Sequence, residues 1–145
     1  MFKKSFFVWV SMFWFEVICG QTQATLDSLM VEYNECLSVR KDRVNCTKEL
    51  FWAYQDLQFD FHNQAIKRLD SINQKKKNLE CREWIGTKDF FVGNEIIKFQ
   101  RKHPNEKISA PSKAAENDAY IAFKNICDFI MIRLKRLMVE IESSK

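Results

Sequence analysis

Glycine and proline are nearly missing from this chain, and their scarcity excludes more than any motif asserts. Of 145 residues, three are glycine and two are proline. Neither occurs between Gln21 and Ile85, or between Ser112 and Lys145. A β-protein of this size needs turn residues at short intervals, so these stretches favour helices. The nucleophile elbow of a hydrolase and the phosphate-cradling loop of a nucleotide enzyme both depend on glycine-rich turns. Gly20, Gly86 and Gly93 are too few and too scattered to build either.

Histidine is scarce as well, with only His62 and His103. His62 is the one residue that could serve as a general base on a helix, with Asp56 or Asp60 beside it. Positions two apart do not share a helix face, so Asp60 and His62 diverge, and we read His62 as a surface histidine. A concave pocket holding His62 with a carboxylate in hydrogen-bond reach would be needed to revive an enzyme or inhibitor reading. No catalytic residue is assigned, and the chain is read as a non-enzyme. No pair of cysteines makes a Cys-x-x-Cys knuckle and the histidines lack finger spacing, so neither a metal nor another cofactor is expected.

Long apolar runs are limited to one. Met1-Phe2-Lys3-Lys4 is followed by apolar or small residues from Ser5 to Phe15, until Glu16 interrupts them. A charged start and a short apolar stretch have the form of a secretory signal peptide, whereas a membrane-spanning helix needs about 20 apolar residues. We expect residues 1–20 to be a signal peptide cut after Gly20, with Ala24 as the second choice. An uncleaved anchor and a lipoprotein modification at Cys19 are the weaker alternatives. The expected destination is secreted, extracellular, with no stable membrane span after cleavage. Removing Lys3, Lys4 and Glu16 lowers the formal charge only from +4 to +3. Residues 21–145 are then expected to form a single helical domain.

Loss of Cys19 leaves Cys36, Cys46, Cys81 and Cys127. An even number of cysteines in an exported chain points to two disulfides, and four cysteines allow three pairings. We expect Cys36 with Cys46, across the short connection between two consecutive antiparallel helices, and Cys81 with Cys127.

Apolar spacing divides the domain. A first helix is expected from Thr25, as cap, to Arg40-Lys41, with Leu26, Leu29, Met30, Tyr33 and Leu37 on one face. Asp42 can cap a second helix whose seam runs from Cys46 through Tyr54 and Phe61 to Leu69 and Ile72. Residues 73–78, rich in lysine and asparagine, read as a frayed end or loop. A third helix is expected over Cys81 to His103, interrupted by Gly86 and Gly93. Pro104 and Pro111 mark the loop from His103 to Lys113, the expected site of proteolytic nicking. The last helix, Ala114 to Ile141, keeps steps of three and four over Tyr120, Phe123, Cys127, Ile130, Leu134, Leu137 and Ile141. The fold class expected is all-α: a small disulfide-stabilised helical bundle of about four helices behind an N-terminal signal peptide. In outline this is similar to the short helical cytokines, a likeness of architecture that no motif carries.

Three features could bear function. Asn45-Cys46-Thr47 fits the N-glycosylation rule, so Asn45 is a candidate glycan site. Basic residues gather at Lys75-Lys76-Lys77, Arg101-Lys102 and Arg133-Lys135-Arg136, but acids are interspersed, so these read as a solvated face and no nucleic acid partner is expected. Trp52, Phe59 and Ile66 recur every seven residues opposite the main seam of the second helix, and Ile121, Ile132 and Val139 lie off the seam of the last. Apolar residues are usually core, so the bland expectation is that the third helix covers these second faces. The functional alternative is a partner-binding stripe centred on Trp52. The leading expectation is therefore a secreted non-enzymatic interaction protein with an unknown protein partner. The alternative is an extracellular carrier of a small apolar ligand or lipid, its cavity lined by phenylalanines.

Overall fold

The computed structural model describes residues 4–40 and 42–143, with side chains from Thr22 onward. Met1 to Lys3, the start of the expected signal peptide, lie outside the described residues. Among the described residues there are four helices: α1 (Lys4–Arg40), α2 (Arg43–Ile66), α3 (Ser71–Lys102) and α4 (Glu116–Ser143). Among the described residues, no helix is long and apolar enough to cross a membrane.

Two aspartates set two of the boundaries. Asp42 caps α2, accepting the Asn45 backbone N–H at 3.0 Å, as its position before the apolar seam predicts. Asp70 caps α3, accepting from the backbone of Ile72 and Asn73. The second cap corrects the sequence reading, which carried the second helix to Ile72 and opened a loop over 73–78. Those residues are instead the first turns of α3, and Ile72 is 78% exposed, outside any seam. Gln74 explains the break. Its amide donates to the carbonyls of Leu69 and of Ile66, the latter also accepting the Leu69 backbone N–H, so the turn after α2 is closed from the first turn of α3. Gly86 and Gly93 do not interrupt α3. Thr25 does not cap α1 either, because the helix passes through it from Lys4.

The core lies between α2 and α4. Leu50, Tyr54, Leu57, Phe61 and Ala65 of α2 meet Ile126, Ile130, Leu134, Leu137 and Ile141 of α4, all buried. Removing each such large side chain from water contributes about 1.5–3 kcal/mol. A second cluster at the other end joins Val44, Phe99, Ala115, Ala119 and Phe123. Contacts ascend together along α2 and α4, from Arg43 with Asn117 to Phe51 with Phe123, so these two helices run parallel. Neighbours in sequence run antiparallel: Tyr33 with Thr47 and Met30 with Tyr54, then Gln55 with Lys88 and His62 with Asn78. The result is an up-down bundle whose α2–α4 pair is central, with α1 and α3 on its flanks. Packing of four helices in this way bears out the all-α bundle.

Cys36 and Cys46 form a disulfide, their Cα atoms 5.8 Å apart across the α1–α2 connection. The expected second bridge is absent, since Cys81 and Cys127 are both free and buried. The geometry of α2 explains why. Cys81 meets the Gln58 amide, whereas the Cys127 thiol points at the Thr47 carbonyl. Gln58 and Thr47 lie eleven residues apart on one helix, about 16 Å along its axis, and a disulfide needs Cα atoms within about 7 Å.

Candidate functional site

Three sides of α2 are occupied. One packs on α4 through the core residues above. The second meets α1 through the Cys36–Cys46 bridge, the Tyr33–Thr47 hydrogen bond and the Arg40–Glu49 ion pair. The third meets α3 through polar contacts: Gln55 with Lys88, Gln58 with Cys81, and His62 with Asn78. Trp52 and Phe59 stand on the fourth side, 58% and 44% exposed. The third helix does not cover them. Ile66, the remaining member of the seven-residue series, is half-buried at the turn into α3, where its carbonyl accepts from Gln74. The stripe thus has two exposed aromatic members. Trp52 is tied to the core by its neighbour, because the Phe51 ring lies 4.9 Å from it and 6.4 Å from Phe123.

On α4 the off-seam residues Ile121, Ile132 and Val139 are likewise exposed. A further apolar series, on the outer face of α3, escaped the sequence reading: Ile72, Leu79, Phe90 and Ile97 are all exposed. Their spacing of seven, eleven and seven was there to be read. Starting the third helix at Cys81 cut the series in half.

The arrangement around His62 differs from the expected surface histidine. The ring is buried, and Nε2 donates to Asn78 Oδ1 at 2.9 Å while Nδ1 has no partner. An amide, not a carboxylate, is what stands within its reach. Arg133 departs from its expected cluster too. It is 5% exposed, with its guanidinium 5.9 Å from the centre of the Trp84 ring. Lys77 turns from its lysine run to bridge Glu80 and Glu140, each at 2.9 Å, and these ion pairs outweigh burial to raise its pKa. Lys75 and Lys76 remain exposed.

Asn45 sits in the first turn of α2 with its side chain already engaged. Its amide donates to Asp42 and its carbonyl accepts from Lys48 at 2.8 Å. Thr47, the third residue of the glycosylation triplet, is buried, with its hydroxyl donated to the Arg43 carbonyl.

A recess of about 330 Å³ lies between α1 and α4, lined by Leu26, Met30, Met131, Met138 and Val139 with charged residues at its rim. Methionine adapts to irregular apolar surfaces, so this groove can accept apolar groups of more than one shape. Among the described residues, no group of three histidine, cysteine or acidic side chains converges to hold a metal ion. Comparison with known proteins gives no match: no family model, no curated protein and no solved structure is similar to this chain.

Proposed function

We propose that this chain is exported, loses its first twenty residues, and acts outside the cell as a non-enzymatic protein that presents the outer face of α2 to a protein partner. The observation that carries this reading is the exposure of Trp52 and Phe59 on a helix fixed along its other three sides. Aromatic anchors on a rigid support lose little entropy on binding and often dominate interfaces. The Cys36–Cys46 bridge supports export, because disulfides persist in oxidising compartments. A glycan on Asn45 would have to be added before folding, while Thr47 is still accessible.

The test is affinity capture from extracellular fluid and cell surfaces with the oxidised chain, beside a chain carrying Trp52→Ser with Phe59→Ser and a reduced, alkylated control. A single protein partner retained by the first and lost by the double variant is the expected result. Because both residues lie outside the core, the variant keeps its helical circular dichroism. Equal capture by both chains would end the proposal.

A second reading, a carrier of a small apolar ligand, is favoured by the recess between α1 and α4, whose volume falls at the lower end of ligand-site volumes. It expects lipid to be recovered by organic extraction of the purified chain and to be reduced when Met131 is replaced by glutamate. A chain free of extractable ligand excludes it.

A further inference from the structure

The outer face of α3 carries an apolar series that the other helices leave exposed. Ile72 is 78% exposed and Phe90 73%, and Leu79 and Ile97 complete the line. At 100° per residue, all four lie within about 20° of one another. Gly86 and Gly93 border the same face, and a Cβ added to either would meet nothing within 4 Å. Glycine weakens a helix interior, and neither a tight turn nor a close neighbour in this chain accounts for it here.

The spacing of the series reads the same in both directions. We propose that α3 pairs with α3 of a second copy, antiparallel, about a two-fold axis passing between Trp84 and Ile85. Under that symmetry Ile72 faces Ile97 of the second copy, and Leu79 faces Phe90. The polar members of the seam find room: Glu83 lies over Gly86 of the second copy, and Lys76 lies over Gly93. Along one flank, Arg82 comes opposite Asp89 of the second copy, and the symmetry repeats this pair of opposite charges. Like charges come together beside the axis, where the two Glu83 residues lie on one exposed flank about 4.5 Å apart along the helix direction, and there salt screens them. A parallel pair would instead set Lys76 against Lys76, which the antiparallel pair keeps far apart.

The area is sufficient. Phe90 can bury on the order of 150–250 Å², and the exposed parts of Ile72, Leu79 and Ile97 add to it, so two such series with their flanking stems cover about 1,000 Å², the lower bound for a specific interface. An isologous contact of this kind closes on itself and gives a dimer, not a fibre. The pairing goes beyond the proposed partner site and uses neither Trp52 nor Phe59, so one can fail without the other.

Sedimentation equilibrium of the oxidised chain is expected to give a dimer. Leu79→Glu with Phe90→Glu should weaken it on the order of 100-fold, with helical circular dichroism unchanged because both positions are exposed. Orientation is read from two single variants: chains with Leu79→Cys and chains with Phe90→Cys form a disulfide-linked dimer only when mixed. Three results would each overturn the pairing. They are a monomer at every accessible concentration, a dimer that survives the double glutamate variant, and cross-linking of either cysteine variant with itself alone.

Discussion

The Cys127 thiol points at the Thr47 carbonyl, 3.6 Å away, in the centre of the bundle. Burial pushes its pKa up to about 12, so at neutral pH almost none of it is the reactive thiolate. Iodoacetamide at pH 8 is therefore expected to leave Cys127 unmodified in the folded chain. Denaturation without reductant should open both Cys81 and Cys127 to alkylation while Cys36 and Cys46 stay blocked, and peptide mapping reads each site. Modification of Cys36 in the unreduced denatured chain would contradict the bridge. At this scale the sequence was only partly legible. Cys36 and Cys46 flank one short connection, so chain proximity alone brings them together. Cys81 and Cys127 sit on separate helices, where pairing depends on axial register, and cysteine content carries no information about that. His62 and Arg133 were misread for a related reason. Each is polar, and only the neighbours supplied by other helices, Asn78 and Trp84, make a buried position tolerable for it.

Helices declare themselves through apolar periodicity, and their ends through caps. Asp42 and the long seam of α4 were both readable because the local residues that define them are also the ones that act in the folded chain. The junction of α2 with α3 was not. Leu69 and Ile72 happen to continue the step of three and four, while the lysines and asparagines after them resemble a loop. What decides the matter is a pair of side chains, Asp70 accepting two backbone donors of α3 and Gln74 closing the end of α2. Misplacing this junction by a few residues hid the apolar line of α3, since Ile72 and Leu79 then belonged to no third helix. The stripe on α2 was seen because that helix was framed correctly at its start. Whether it was covered depended on the docking angle of α3, which no single helix encodes.

The whole molecule is held in two different ways, and they respond differently to pH. The α2–α4 pair is apolar, whereas α3 adds to its apolar contacts, the stacked Phe91 and Phe129 rings and the buried Phe99, a set of charged and polar ones: Asn125 with Glu95, Lys77 with Glu140 and His103 with Asp118. Burial works to raise the Glu95 pKa, but hydrogen bonds from Asn125 and Lys98 outweigh it and hold the carboxyl below its ordinary value. Hydrogen bonds from His103 and Lys102 lower Asp118 in the same way. A carboxyl with a depressed folded pKa contributes stability above its unfolded pKa, about 4, and loses that contribution as pH falls through the folded value. At the alkaline side the sign is set by groups that fold as neutral acids. Burial raises Tyr54 and Cys127 to about 12 each, against unfolded values of about 10 and 8.5. Their contribution is complete below those unfolded values and declines as pH rises above them, because the unfolded chain ionises first. Urea midpoints are accordingly expected to be level from about pH 5 to 8 and to fall on both sides. Cys127→Ala removes one alkaline term, so its midpoint, though lower at pH 7, should decline less than the parent's between pH 8 and 10. Parallel alkaline limbs in the two chains would show that the buried thiol does not titrate with unfolding.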